Sequence, residues 1–169
     1  EPVCPAPIWQ CRRTAEASAR LIAAGHDAQV VATTGLGINP LFPASKLAWV
    51  LRHVPQAAAL LAQGRLRAGT VDAWLLWQLT GGASFATDHS NASRTQLFDT
   101  AKLEFSPQLA ALFGASVACL PTAMPSTTQG RRETGTTSRN ASSDSTGDDG
   151  TSVMRGTAPE KMTGLISAS

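Results

Sequence analysis

The chain has 169 residues, of which 43% are hydrophobic, and this is enough for one domain with a hydrophobic core. Its formal net charge is only +2 and its arginines are scattered, so no electrostatic footprint for nucleic acid is expected. No apolar run approaches the roughly 20 residues of a membrane span, and the first residues lack a secretory signal. We therefore expect a cytoplasmic protein without a nucleic-acid or membrane partner.

The front of the chain alternates apolar segments with glycine and proline, which is typical of α/β structure. Residues 6–9 are a short apolar strand candidate, and a helix is expected from about Thr14 to Gly25. Pro55 ends the next helix and can occupy the first turn of another one that reaches Gly64. The helix before Pro55 has apolar residues at i, i+3, i+4 and i+7, namely Leu47, Val50, Leu51 and Val54.

Two further helices and a strand are expected downstream. The first helix is closed by Gly81, and a short strand is predicted over residues 84–87. Ser106 is a good cap for the second helix, which has Pro107 at its first position and ends at Gly114. The expected buried face of the first helix consists of Val71, Trp74, Leu75 and Leu79.

The composition changes sharply near residue 126. All four tryptophans and all five phenylalanines come before Gly114, whereas residues 126–169 contain no aromatic side chain. This last stretch is rich in serine, threonine, glycine and aspartate, which bury too little apolar area to offset the entropy of an ordered chain. We therefore expect two parts, a folded segment over residues 1–125 and a low-complexity, disordered tail over residues 126–169.

The three cysteines suggest neither a disulfide framework nor a metal site. Cys4, Cys11 and Cys119 are an odd number and show no C-x-x-C spacing. The sequence therefore predicts that these thiols serve in packing, and it offers no candidate metal ligands.

Four sequence motifs come in a recognisable order between residues 9 and 95. They are WQCRRT at residues 9–14, LFPASKLAWVL at 41–51, GTVDAWLLW at 69–77 and TDHSNASRT at 87–95. Together they resemble the FGGY carbohydrate kinases, and within that family above all the glycerol kinases. Ordered motifs of this density are far more specific than any single pattern.

The resemblance implies an α/β fold, as part of the N-terminal actin/hexokinase-like (ribonuclease H-like) domain of an FGGY kinase. It also implies the chemistry of an ATP-dependent kinase, in which Mg²⁺ assists transfer of the γ-phosphoryl group to a hydroxyl of a small polyol or sugar. In this family the phosphate loop and the Arg-Glu pair that grips the polyol precede the matching stretch, and the catalytic aspartate and the adenine-binding domain follow it. We therefore expect no catalytic, cofactor-binding or metal-binding residue in this chain, and no turnover by it alone.

Two substrate-pocket positions of the family fall within the chain. Trp9 matches a tryptophan that packs against the carbon edge of bound glycerol, although core packing is an equally good interpretation of it. Leu41 stands where glycerol kinases have a tyrosine whose hydroxyl bonds the substrate, and leucine has no hydrogen-bonding group. The resemblance therefore assigns Trp9 and Leu41 to substrate binding and places glycerol itself in question.

Other polar residues are interpreted as structural. Lys46, at the start of a helix, is expected to be a structural contact or a solvated charge. The three histidines lie far apart in the sequence and have no carboxylate at the spacing of a catalytic triad. The arginines of the motifs, Arg12, Arg13 and Arg94, are expected to be ion-paired scaffold.

Three interpretations of the whole chain remain open at the level of sequence. It is a piece of a kinase cut at its front, or a binding module without turnover, or a truncated or frame-shifted product of a kinase gene. The third interpretation rests on the shared end point of the resemblance and of the core composition, near Ser126. The nucleotide sequence decides between them, because an alternative reading frame encoding Gly-Asp-Gln would mark the tail as out of frame.

Overall fold

The computed structural model describes residues 1–126 in full and the backbone of residues 161–164. This part of the chain forms an α/β structure in which helices dominate and strands are short, as the sequence predicts. The helices are α1 Ala15–Ala23, α2 Asp27–Thr34, α3 Pro43–His53, α4 Pro55–Ala62, α5 Val71–Leu79, α6 His89–Ser93 and α7 Pro107–Phe113, with a 3₁₀ turn at Val117–Cys119. The strands are β1 Leu66–Gly69, β2 Ala86–Asp88, β3 Phe98–Asp99, β4 Glu104–Phe105, β5 Thr122–Met124 and β6 Lys161–Gly164.

Helices α3, α4 and α7 confirm the predictions made from proline and capping residues. Each has a proline in its first turn, where the missing N–H costs no hydrogen bond. The hydroxyl of Ser106 accepts a hydrogen bond from the backbone N–H of Leu109 at 3.3 Å, and Gly114 ends α7 with a φ of 78°. Local sequence signals therefore define these three helices without help from the rest of the fold.

Helix α2 is absent from the sequence-based expectations. Its N-cap, His26, makes no side-chain capping bond, and the helix is short. Instead, the carboxylate of Asp27 accepts a hydrogen bond from the backbone N–H of Ile38 at 2.6 Å, which joins the start of the helix to the loop that follows it. A contact eleven residues away stabilises α2, and no local pattern reveals it.

The strand predicted over residues 6–9 is wrong. The structure has an extended segment without a strand partner here, followed by a turn in which the N–H of Cys11 donates to the carbonyl of Ile8 at 3.0 Å. Pro7 has no backbone N–H, so it cannot donate to a ladder at the centre of this segment. The apolar character of the segment instead serves packing, since Pro7 is buried.

The strands pair as three two-stranded ladders. Strands β2 and β5 are parallel, and β3 and β4 are antiparallel. Strand β1 pairs in parallel with β6, in a register that joins Leu66 to Lys161 and Gly69 to Gly164. Strand β6 is an exception to the irregular chain expected after residue 126, because it pairs in parallel with β1. The rest of the predicted tail, residues 127–160 and 165–169, lies outside the described residues.

The hydrophobic core lies between α3, α4, β1 and α7. Leu47 and Val50 are buried as predicted, at 1% and 0% exposure, while Leu51 is half-buried and packs against the core from its edge. The other large members of this cluster are Val30, Leu60, Leu66, Leu97, Leu109 and Phe113. None of the helices in the described part of the chain is long and apolar enough to cross a membrane.

Helix α5 corrects the predicted burial of Trp74 and Leu75. These side chains are 37% and 46% exposed, and Ala73 is the buried residue of the helix. The apolar side chains of α5 itself occur all around the helix, so the hydrophobic pattern does not predict which face is buried. A Cβ at Gly69 would lie 3.0 Å from that of Ala73, which shows that the smallest apolar side chain of α5 faces β1 closely.

Candidate functional site

The structure brings Trp9 and Leu41 together at one pocket. The pocket has a volume of about 350 Å³, and its walls are two chain segments, residues 9–12 and 39–41. Trp9 is 47% exposed and Leu41 is 37% exposed, so both side chains are accessible to a ligand. Trp9 therefore lies outside the hydrophobic core of the described residues, because nearly half of its surface is open to solvent.

The first wall is a turn that leads into α1. The N–H of Cys11 donates to the carbonyl of Ile8, and the N–H of Ala15 donates to the carbonyl of Arg12, both at 3.0 Å. The buried hydroxyl of Thr14 lies 2.8 Å from that of Ser45, which joins the start of α1 to α3. This wall is consequently held in place by both its own turn and the neighbouring helix.

The second wall depends on a buried lysine. Lys46 is 2% exposed, and its Nζ donates hydrogen bonds to the carbonyl oxygens of Pro40, at 2.7 Å, and Leu41. The N–H of Leu41 in turn donates to Oδ1 of Asn39 at 2.9 Å. The expectation that Lys46 is a structural contact is confirmed, and the contact that it makes holds the backbone of the pocket.

Burial sets the ionisation behaviour of Lys46. Loss of water around the ammonium group lowers its pKa from the ordinary value, while the nearby Cys11 thiolate opposes this effect. A buried ammonium requires partners, and here two backbone carbonyls provide them.

Cys11 is a pocket-lining residue that the sequence reasoning missed. It lines the pocket and its Sγ accepts a hydrogen bond from Nε of Arg13 at 2.8 Å. Partial burial raises its pKa, but the hydrogen bonds from Arg13 and the positive charges of Arg13 and Lys46 outweigh this and lower the pKa overall. All three cysteines are free thiols, and the predicted packing role fits the buried Cys119 but not Cys11.

The two aspartates within the family motifs, Asp72 and Asp88, are engaged in structural contacts. The two oxygens of Asp72 accept hydrogen bonds from the hydroxyls of Thr70 and Thr87, at 2.5 and 2.6 Å. Those of Asp88 accept from the backbone N–H and the side-chain amide of Asn91, at 2.8 and 3.1 Å. Both aspartates therefore stabilise the fold around β2 and α6.

The pocket wall is suited to binding rather than to acid–base chemistry. Of the described residues that line it, none is an aspartate or a glutamate. In residues 1–126 no three His, Cys, Asp or Glu side chains lie close enough to one another to hold a metal ion. An apolar pair with Gln10, Arg12 and Asn39 around it can contact the carbon skeleton and the hydroxyls of a small molecule.

Sequence comparison identifies the family of this segment. The model of the FGGY family of carbohydrate kinases, N-terminal domain, matches residues 1–165. A glycerol kinase of Symbiobacterium thermophilum is 47% identical over 126 residues, covering 75% of this chain and 25% of that protein. Glycerol kinase 1 of Pseudomonas aeruginosa is 52% identical over 117 residues, covering 69% of this chain and 24% of that protein. The chain thus spans about a quarter of the length of these curated relatives.

Solved structures agree with the sequence comparison. Plasmodium falciparum glycerol kinase with ADP superposes with a TM-score of 0.62 at 27% identity, over 68% of this chain and 23% of that one. A ligand-bound xylulose kinase of Lactobacillus acidophilus superposes with a TM-score of 0.57 at 20% identity, over 69% and 23% of the two chains, which shows a shared fold. The chain therefore belongs to the FGGY family of carbohydrate kinases, as a part of its N-terminal domain.

Proposed function

We propose that this chain builds one wall of the substrate pocket of an ATP-dependent polyol or sugar kinase, which transfers the γ-phosphoryl group of ATP to a substrate hydroxyl. The observation that carries the proposal is the shared pocket of Trp9 and Leu41. The relatives found by sequence comparison support the proposal, because they are named glycerol kinases. The solved structures of similar fold include a glycerol kinase and a xylulose kinase.

The two residues have different roles in this pocket. Trp9 offers a large, rigid, apolar face against which the C–H groups of a polyol pack. Leu41 contributes only apolar surface, where a tyrosine in glycerol kinases would add a hydroxyl partner. A substrate hydroxyl opposite Leu41 must therefore find its partner in water or in another residue. This favours polyols other than glycerol.

The chain as given binds and orients but does not turn over. Magnesium-bound ATP would neutralise the charge of the transferring phosphoryl group, and a base must take the proton of the attacking hydroxyl. Among the described residues Asp72 and Asp88 are engaged in structural contacts and no carboxylate lines the pocket, so none of them is placed to act as this base. We therefore assign the binding of magnesium-ATP and the catalytic base to other parts of a kinase.

A turnover assay tests this division of roles. The purified 169-residue protein is incubated with magnesium-ATP and a panel of glycerol, pentuloses and larger polyols, and ADP is measured. We expect no ADP above a protein-free control. Substrate-dependent ADP release that survives repurification would overturn the assignment of Asp72 and Asp88 to structural contacts.

A binding experiment tests the pocket itself. Saturation-transfer NMR on the same protein is expected to show transfer to the C–H protons of at least one polyol of the panel. The Trp9→Ala variant should lose this transfer because the stacking face is removed. Trp74→Ala is the matched control, since Trp74 is a tryptophan of similar exposure on α5, outside the pocket. Equal saturation transfer in the two variants would show that Trp9 does not contact the polyol.

A further inference from the structure

A second pocket lies between α1 and α3 and shares no lining residue with the pocket of Trp9 and Leu41. Its volume is about 220 Å³. Its polar side chains are predominantly basic, and its floor is aromatic and aliphatic. The residues that matter for its chemistry are Arg13, Glu16, Arg20, Trp49, Arg52 and His53.

Arg13 is held in a fixed position beside this pocket. Its Nε donates to Sγ of Cys11 at 2.8 Å, and its guanidinium carbon lies 4.3 Å from the centroid of the Trp49 ring. Its two terminal nitrogens have no acceptor among the described residues. A guanidinium that is stacked and anchored in this way loses little conformational entropy when it binds an anion.

His53 lies against the same aromatic ring. Its ring stacks on Trp49, with centroids 4.7 Å apart and an angle of 15° between the planes. Its Nδ1 lies 2.9 Å from the carbonyl oxygen of Trp49, and a carbonyl can only accept, so Nδ1 carries the proton of this bond.

The charges of the pocket do not balance. Glu16 is the acidic residue of its lining and is already paired with Arg20 one helical turn away. Arg52, from the last turn of α3, has no hydrogen bond or ion pair with any of the described residues. Arg13 and Arg52 therefore place two positive charges at a concave site whose lining carboxylate, Glu16, is already paired with Arg20.

We propose that this pocket binds the phosphate group of a small phosphorylated molecule. Arginine side chains suit phosphate because the planar guanidinium can donate two parallel hydrogen bonds to its oxygens. Leu21, Trp49 and Phe113 provide an apolar surface for the body of such a ligand. The volume of the pocket limits that body to a small molecule. This site shares no lining residue with the proposed polyol pocket, although Cys11 of that pocket anchors Arg13.

Calorimetric titration of the 169-residue protein with inorganic phosphate, at constant ionic strength set by chloride, tests the site. We expect saturable binding that Arg52→Gln weakens by about tenfold or more, because a charge-assisted hydrogen bond is lost. Arg52 is exposed, so its replacement should leave the fold intact. Lys102→Gln is the matched control, because it removes one exposed positive charge outside the pocket.

Two further measurements make the outcome decisive. Phenyl phosphate should bind more tightly than inorganic phosphate, since its ring can contact the apolar floor, and weaker binding would overturn the assignment of the floor to the body of a ligand. Arg52→Glu should abolish binding of both probes while leaving the thermal unfolding transition cooperative. Absence of saturable heat in the unmodified protein, or equal affinity in Arg52→Gln and Lys102→Gln, would overturn the proposal.

Discussion

Lys46 donates a hydrogen bond of 2.7 Å from its Nζ to the carbonyl oxygen of Pro40, six residues earlier in the chain. The same ammonium group also donates to the carbonyl of Leu41. One buried side chain therefore holds the backbone of Leu41, the residue that we propose contacts the substrate. The pocket wall is therefore coupled to the N-terminal turn of α3, and through α3 to the hydrophobic core.

Replacement of Lys46 by methionine should destabilise the protein. The two carbonyl oxygens would lose their donor, and a buried acceptor without a partner costs about 1–3 kcal/mol. Relief of the desolvation of the ammonium offsets a part of this, so we expect the free energy of unfolding to fall by about 1–3 kcal/mol in urea titrations. Lys102→Met, at an exposed lysine, is the control and should change it by less than about 0.5 kcal/mol. Equal stability of the two variants would mean that the hydrogen bonds of Lys46 make no net contribution to the free energy of unfolding.

Restoring a hydroxyl at Leu41 should change substrate preference. In a chimera that carries residues 1–126 in place of the matching segment of Pseudomonas aeruginosa glycerol kinase 1, Leu41→Tyr should raise kcat/KM for glycerol relative to larger polyols. One neutral hydrogen bond is worth about 0.5–1.5 kcal/mol, which corresponds to about a 2- to 10-fold change in that ratio. Leu41→Phe supplies the ring without the hydroxyl and should not reproduce the change. If Leu41→Tyr leaves the ratio of the kcat/KM values unchanged, the side chain at position 41 does not contact the substrate.

The three thiols should react with iodoacetamide in the order Cys11, Cys4, Cys119. The thiolate is the reactive form, and the pKa of Cys11 is lowered by Arg13 and Lys46 against the opposing effect of partial burial. Burial raises the pKa of Cys4, and it raises that of Cys119 from 9.0 to about 11. Site-resolved mass spectrometry at pH 8 measures the order, which should disappear in denaturant. Faster alkylation of Cys119 than of Cys11 in the native protein would contradict it.

The raised pKa of Cys119 also has a consequence for stability. A group whose pKa is higher in the folded than in the unfolded state stabilises the fold below the unfolded pKa. This contribution is lost as the pH rises through the folded one. Cys119 should therefore contribute fully below pH 9.0, its ordinary value, and lose its contribution as the pH approaches about 11. The Cys119→Ala variant should show a weaker loss of stability over this interval than the unmodified protein.

Two substitutions on α5 should have opposite consequences. Ala73 is fully buried against β1, so Ala73→Leu forces extra volume into a tight contact with Gly69 and should cost about 1–3 kcal/mol. Leu79 is 84% exposed, so Leu79→Gln should change the free energy of unfolding by less than about 0.5 kcal/mol. Thermal unfolding followed by circular dichroism compares them. A large loss of stability in Leu79→Gln would show that this side chain is covered in solution.

Local patterns were sufficient for the helices that carry their own start and stop signals. Helices α3, α4 and α7 were predictable because proline, a capping serine and a terminal glycine act within one helical turn. Helix α2 and strand β1 were not predictable. The first depends on the bond between Asp27 and Ile38, and the second on pairing with β6 across more than ninety residues.

The amino-acid sequence alone determined the family and the α/β class, because ordered motifs carry that information residue by residue, and the assignment of Trp9 and Leu41 to substrate binding stays a prediction from the resemblance. Only the tertiary structure decided how much of Trp9 is exposed, what holds Leu41 in place, and that Arg13 and His53 meet at the ring of Trp49. It also decided that Ala73, rather than Trp74 or Leu75, faces the interior. The physical reason is that burial and contacts between distant segments depend on how helices pack, whereas propensity and capping act within a few residues of the chain.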